Sequence, residues 1–125
     1  LQAFNMLVVT VYLHPTDQEK VIKTMHQVSS LIARFTGEFV VMGDFNVEWG
    51  PELEGYCTKL GLKSYQPTQT LVSFPKLNRR LDWILIGDEL EFRDYITEST
   101  TLSDHNLVVA KLRVAETSDI SRPTE

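Results

Sequence analysis

The stretch Phe39-Val40-Val41-Met42-Gly43-Asp44-Phe45-Asn46 constrains the fold of this chain more than any other. Four successive apolar residues, two of them β-branched, have the make-up of a strand buried on both faces. Gly43 ends the run with a residue free to take backbone angles closed to others. An acid and an amide follow at alternate positions. In extended backbone Asp44 and Asn46 therefore project to one side, while Phe45 turns into the core. Such a strand delivers a carboxylate and a carboxamide to the rim of a sheet, where ligand chemistry tends to collect. Asp and Asn are also ordinary turn residues, because they bond their own backbone. Taken alone, these eight residues favour the turn reading; two later stretches reverse it.

Upstream, Phe4 to Tyr12 is rich in β-branched and aromatic residues and predicts a strand. Leu13-His14-Pro15 closes it, since proline stops further pairing. By itself His14 reads as a loop histidine capping a carbonyl. Thr16-Asp17-Gln18-Glu19 has the form of a capping box, with Thr16 as N-cap and Glu19 reaching back. Val21, Met25, Val28, Ile32 and Phe35 then recur at helical spacing, and Gly37 supplies a stop. His26 falls on the solvent side of that pattern. The order is β-α-β, which places both strands in one sheet or layer.

Past Asn46, Trp49 lies in a loop, where it packs on the next helix or stacks on a ligand. Pro51 suits the first position of a helix with Leu53, Tyr56, Cys57 and Leu60 as its buried stripe and Gly61 as its end. Leu62 to Ser73 reads as irregular, with a strand near Gln69–Phe74. Leu81 to Ile86 is the second strongly apolar strand, and Asp82 sits near its start. A buried carboxylate needs a partner; the plain reading is an ion pair with Arg79 or Arg80. Phe92 to Glu98 predicts another short strand. Ser103-Asp104-His105-Asn106 leads into the last one, Leu107 to Val114.

A chain of 125 residues holds one domain at most. We place it at residues 1–115, followed by a polar, aperiodic tail at 116–125 expected to be disordered. Lys and Arg total 12 against 17 Asp and Glu, a net charge of −5, which argues against gripping polyanions by bulk electrostatics. A metal ion acts through a local field and is not excluded. The one cysteine, Cys57, cannot form an internal disulfide and reads as a buried thiol, which fits a reducing, cytoplasmic compartment. No apolar run is long enough to cross a bilayer.

Three apolar strands thus carry acid, amide or imidazole groups at one end: Asp44 and Asn46, Asp82, and Asp104 with His105. The opening strand adds His14. These groups suit hydrolysis of a phosphate ester. Carboxylates hold a hard divalent cation, cation and amide stabilise charge on phosphoryl oxygens, and a carboxylate-paired histidine moves a proton or holds the phosphate.

Gly43-Asp44-Phe45-Asn46, Arg80-Leu81-Asp82-Trp83-Ile84 and Ser103-Asp104-His105, in that order, resemble the endonuclease/exonuclease/phosphatase superfamily with the deoxyribonuclease-I-like fold. Leu13-His14 resembles the family's catalytic histidine segment, and the likeness covers about Met6 to Val114. It implies an α/β (α+β) chain that forms part of a four-layer α/β/β/α sandwich. It also implies a Mg²⁺- or Mn²⁺-dependent phosphoesterase, with a nuclease the leading reading and a phospholipid or inositol phosphate phosphatase the next. Under the resemblance Asp44 orients the attacking water, and Asn46 binds the scissile phosphate. Asp44 and Asp104 ligate the cation, His105 acts on nucleophile or phosphate, and Asp82 fixes its tautomer. His14 is a second imidazole at the phosphate, while Arg79, Arg80 and Trp49 contact substrate. The family's domain is longer, and its first half supplies a strand ending in asparagine and a metal-binding glutamate that have no counterpart here. The chain therefore reads as the C-terminal half of such a domain, with an exposed sheet face to be covered by its missing half or by another copy. A catalytically incomplete piece serving structure or association is the competing reading.

Overall fold

The computed structural model describes residues 5–68 and 70–115. The expected tail at 116–125 lies outside them. Strand β1 (Met6–Tyr12) leads through helix α1 (Gln18–Ala33) to β2 (Glu38–Asp44), and helix α2 (Pro51–Leu60) follows. The short β3 (Leu62–Lys63), a single 3₁₀ turn (Pro75–Leu77), β4 (Asp82–Gly87), β5 (Leu90–Glu98) and β6 (Leu107–Val114) complete the order.

The first four strands form one sheet in the order β1-β2-β4-β3, and β5 and β6 form a second. The β-α-β reading holds: β1 and β2 run parallel and adjacent, with Tyr12 opposite Asp44. β4 runs antiparallel to β2, with Asp44 opposite Asp82. That direction is decisive for the site. The last residue of one strand lands beside the first residue of the other, so two acids 38 positions apart become cross-strand neighbours.

Alternation along the strands separates two apolar layers. On one face Val41, Trp83 and Leu85 pack with Phe45 against Val21, Met25 and Val28 of α1 and Leu53 and Cys57 of α2. On the other, Val40 and Ile86 meet Leu90, with Met42, Ile84, Phe92 and Leu112 packed around them. The described residues therefore build three layers: helices, four-stranded sheet and two-stranded sheet. Phe45 is buried as expected, and Cys57 is a buried free thiol, pushed up to about 11 by burial and by Glu54.

Gly43 has no substitute at its position. Its φ is +139°, and a Cβ built there would lie 2.0 Å from the Val11 carbonyl oxygen of the neighbouring strand. The last turn of α2 closes on Gly61 in the left-handed conformation, as its sequence predicts.

Three local expectations are corrected. The N-cap of α1 is Asp17, not Thr16: the Asp17 carboxylate accepts from the Lys20 amide. Its charge also suits the positive end of the helix. The stretch read as irregular opens with β3, an edge strand too short for periodicity to reveal. The strand expected near Gln69–Phe74 is instead a bend leading into a tight hairpin, with Phe74 bridged to Arg79; Gln69 itself lies outside the described residues. Pro75 and Asn78, the latter left-handed at φ 55°, shape that hairpin.

Candidate active site

β2 ends and β4 begins at the same rim of the larger sheet, and the loop before β6 folds over it. This brings Asp44, Asp82 and His105 together, with one ligand atom from each within 4.8 Å of the others. The imidazole lies between the two carboxylates. Its Nδ1 is 2.6 Å from Asp82 Oδ2, and its Nε2 is 3.8 Å from Asp44 Oδ2. The ring of Phe74 packs against the imidazole with centroids 4.9 Å apart. Asp82 thus pairs with His105 rather than with Arg79 or Arg80, which corrects the plain ion-pair reading.

The local chain accounts for the Asp44 geometry. One Asp44 oxygen accepts the Asn46 amide at 2.8 Å, an Asx turn that holds Asn46 at a left-handed φ of 55°. Asn46 Nδ2 donates to the Leu13 carbonyl at 2.6 Å. This ties the loop after β1 to the loop after β2. An amide nitrogen carries two hydrogens, so one N–H of Asn46 is left for a ligand.

Burial raises the Asp44 carboxyl above its usual range, and the neighbouring Asp82 and Asp104 charges add to that. The Asn46 amide and His105 act in the opposite direction. Burial alone would lower His105, but its hydrogen bond to Asp82 and the surrounding carboxylates outweigh that, so its pKa is raised. With Nδ1–H donated to Asp82, Nε2 of the neutral ring presents a lone pair toward Asp44.

The other sequence candidates occupy different places. Asp104 is exposed and falls outside the three-residue cluster, yet its charge is felt by both Asp44 and His105. His14 Nδ1 accepts the amides of Thr16 at 3.1 Å and Asp17 at 2.8 Å, so it caps N–H groups rather than a carbonyl and shapes the entry to α1. Trp49 packs on the Trp83 ring of β4 at 5.8 Å between centroids, a partner that neither of its two readings named. Arg79 is half-exposed beside Glu48.

Arg80 is the clear departure. It is 0% exposed, and its guanidinium donates to the carbonyls of Tyr65, Gln66 and Thr68 while lying 4.0 Å from the Trp83 ring centroid. An enclosed cation whose two terminal nitrogens bond three main-chain carbonyls does not contact substrate; it clamps the 65–68 loop. Two residues at the rim carried no earlier signal. Tyr12, 66% exposed, stands opposite Asp44 in the β1–β2 register, and Asn106 bonds Val72 through its side chain. Strand pairing reveals Tyr12, whereas linear spacing does not.

A cleft of about 320 Å³, lined by Thr10, Met42, Asp82, Ile84, Asn106 and Leu107, opens beside the acids. Two facing carboxylates with an imidazole make a donor set that fits a hard divalent cation, which takes oxygen ligands and keeps several waters.

No protein-family model matches the chain, and no curated protein matches it by sequence. Solved structures do match. A conserved protein of unknown function from Enterococcus faecalis superposes with a TM-score of 0.67 at 17% identity, covering 91% of this chain and 52% of that one. The 3′ phosphatase NExo from Neisseria, bound to a product DNA hairpin, gives 0.68 at 18%, covering 85% and 60%. A mannosyl-6-phosphatase from Bacteroides thetaiotaomicron gives 0.62 at 17%, covering 88% and 52%. The fold is of the deoxyribonuclease-I-like type. The chain spans 52–60% of the length of these three structures.

Proposed function

We propose that this chain carries the catalytic rim of a divalent-metal-dependent phosphoester hydrolase acting on phosphodiesters, with nucleic acid as the leading substrate. The observation that carries this reading is the Asp82–His105–Asp44 arrangement at one strand rim, with His105 held by Asp82 at 2.6 Å. The order of the three motifs supports reading the chain as the C-terminal portion of a deoxyribonuclease-I-like domain.

His105 Nε2 takes a proton from the attacking water as its oxygen bonds phosphorus, and the imidazolium so formed is stabilised by Asp82. Asp44, beside Nε2, orients that water. The P–O ester bond breaks, the departing alkoxide takes a proton from solvent, and the His105 imidazolium returns its proton to solvent. The free N–H of Asn46 donates to a phosphoryl oxygen, His14 holds the approach to the phosphate, and Arg79 supplies a cation at the rim. Asp44 would hold the cation, with the exposed Asp104 adding its negative charge from outside the cluster, and the cation when bound would withdraw charge from the phosphoryl oxygens.

A phosphomonoesterase is the second reading, favoured by the phosphatase names of two similar structures. Hydrolysis of bis-p-nitrophenyl phosphate and of p-nitrophenyl phosphate, each with Mg²⁺ and with EDTA, separates the two. The diesterase reading predicts EDTA-sensitive turnover that is faster on the diester. Faster monoester turnover favours the second reading, and no metal-dependent turnover of either leaves the incomplete, structural piece.

A further inference from the structure

Ser73 is fully enclosed, at 0% exposure, although it lies in a segment without regular structure. Its hydroxyl oxygen accepts two successive amides, those of Leu81 and Asp82, both at 2.9 Å. One strand ladder cannot satisfy both, because consecutive amides of extended backbone point to opposite edges. A hydroxyl oxygen has two lone pairs and can accept both at once. The Ser73 carbonyl accepts the Asn106 amide at 2.7 Å, and the Val72 carbonyl accepts Asn106 Nδ2 at 2.9 Å. The Leu81 carbonyl in turn accepts the Phe45 amide at 2.9 Å.

Three chain segments bear the site: Asp44–Asn46, the start of β4 with Asp82, and Asp104–Asn106. Ser73 bonds directly to the second and third, and reaches the first through Leu81. Its neighbour Phe74 packs on the His105 ring. We infer that Ser73 is the positioning residue of this site. Its hydroxyl sets the backbone angle from which Asp82 meets His105, and its carbonyl fixes the loop that carries His105 at the matching height. Arg80, adjoining Leu81 in the chain, holds the 65–68 loop.

The kinetic part of this inference rests on the hydrolase reading; the structural part does not. Two measurements on the full chain keep them apart. The first is the NMR signal of the His105 Nδ1 proton, shifted downfield by its bond to Asp82, in wild type, Ser73→Ala and Ser73→Thr. The signal should vanish in the alanine variant and persist in the threonine variant, which keeps the hydroxyl. The second is turnover of bis-p-nitrophenyl phosphate with Mg²⁺. Ser73→Ala should lower kcat roughly 10- to 100-fold with little change in KM, and Ser73→Thr should restore it to within a few-fold, in keeping with the share of rate a positioned acid–base group supplies. If the alanine variant does not fold, Ser73→Cys takes its place. It preserves the side chain's shape but weakens the acceptor, so it must show the same direction of loss. A folded alanine or cysteine variant that keeps both the downfield proton and wild-type kcat overturns the inference. Loss of the proton in a chain whose wild type shows no turnover upholds Ser73 and removes only the hydrolase reading.

Discussion

At the scale of single residues, the Asp82–His105 pair gives the chain a pH signature. The folded-state pKa of His105 is raised, so the stability it contributes is complete below the ordinary histidine value of 6.5 and is lost as pH rises through the folded value. Asp44 has the same sign. Its raised carboxyl favours the protonated folded form, and stability declines as pH rises from its usual 3.8 through the folded value. Thermal melts should therefore show the melting temperature falling as pH is taken upward past 6.5, with Asp82→Asn flattening that fall. A wild-type profile that rises over the same window contradicts the assignment of Asp82 as the group that raises His105. The sequence pointed to Asp44, Asp82 and His105 because acids and imidazole at the ends of apolar strands are chemically conspicuous. Arg80 was misread for a physical reason: its partners are three backbone carbonyls, which every residue possesses and no side-chain pattern marks. Ser73 was passed over for the same reason.

At the scale of elements, β2 depends on one residue without a side chain. A Cβ at Gly43 would meet backbone atoms of Val11, which cannot swing away as a side-chain tip can. Its φ also lies where L-residues are strained by about 1–3 kcal/mol. Gly43→Ala should destabilise the fold by roughly 2 kcal/mol or more in urea unfolding, and should loosen the β1–β2 pairing that sets Tyr12 beside Asp44. A variant with an unchanged unfolding midpoint would show that β1 does not approach this closely. Helices and long strands were legible from periodicity: Leu107–Val114 appears with the bounds its sequence predicts, and α2 runs from Pro51 to the residue before Gly61. β3 and the Phe74–Arg79 hairpin were not. Two residues of strand carry no period, and the hairpin is held by main-chain bonds and a left-handed Asn78.

At the scale of the whole molecule, the two sheets are unequal. Four strands face two, and the β1 side chains Met6, Val8 and Tyr12 remain exposed, as do Leu107 and Val109 on β6. Apolar strand surface next to an unpaired strand edge favours association. Sedimentation velocity over a range of concentrations should show dimers or larger species, and a monomer at the highest concentration would count against that view. The sequence indicated an uncovered face from its likeness to a longer domain, but it could not say which strands would bear it. That depends on β5 and β6 pairing only with each other among the described residues.

The central claim is that Asp44, Asp82 and His105 act together on a phosphorus centre. Its most direct test is the Mg²⁺-dependent rate of bis-p-nitrophenyl phosphate hydrolysis by wild type beside Asp44→Ala, Asp82→Ala and His105→Ala, each first shown to be folded. The account predicts that each variant loses about 100-fold or more, the range expected when a positioned acid–base group is removed. It also predicts that the Asp82→Ala/His105→Ala double variant is little worse than either single one, since the two residues act as a unit. Equal rates in wild type and all the folded variants would contradict it.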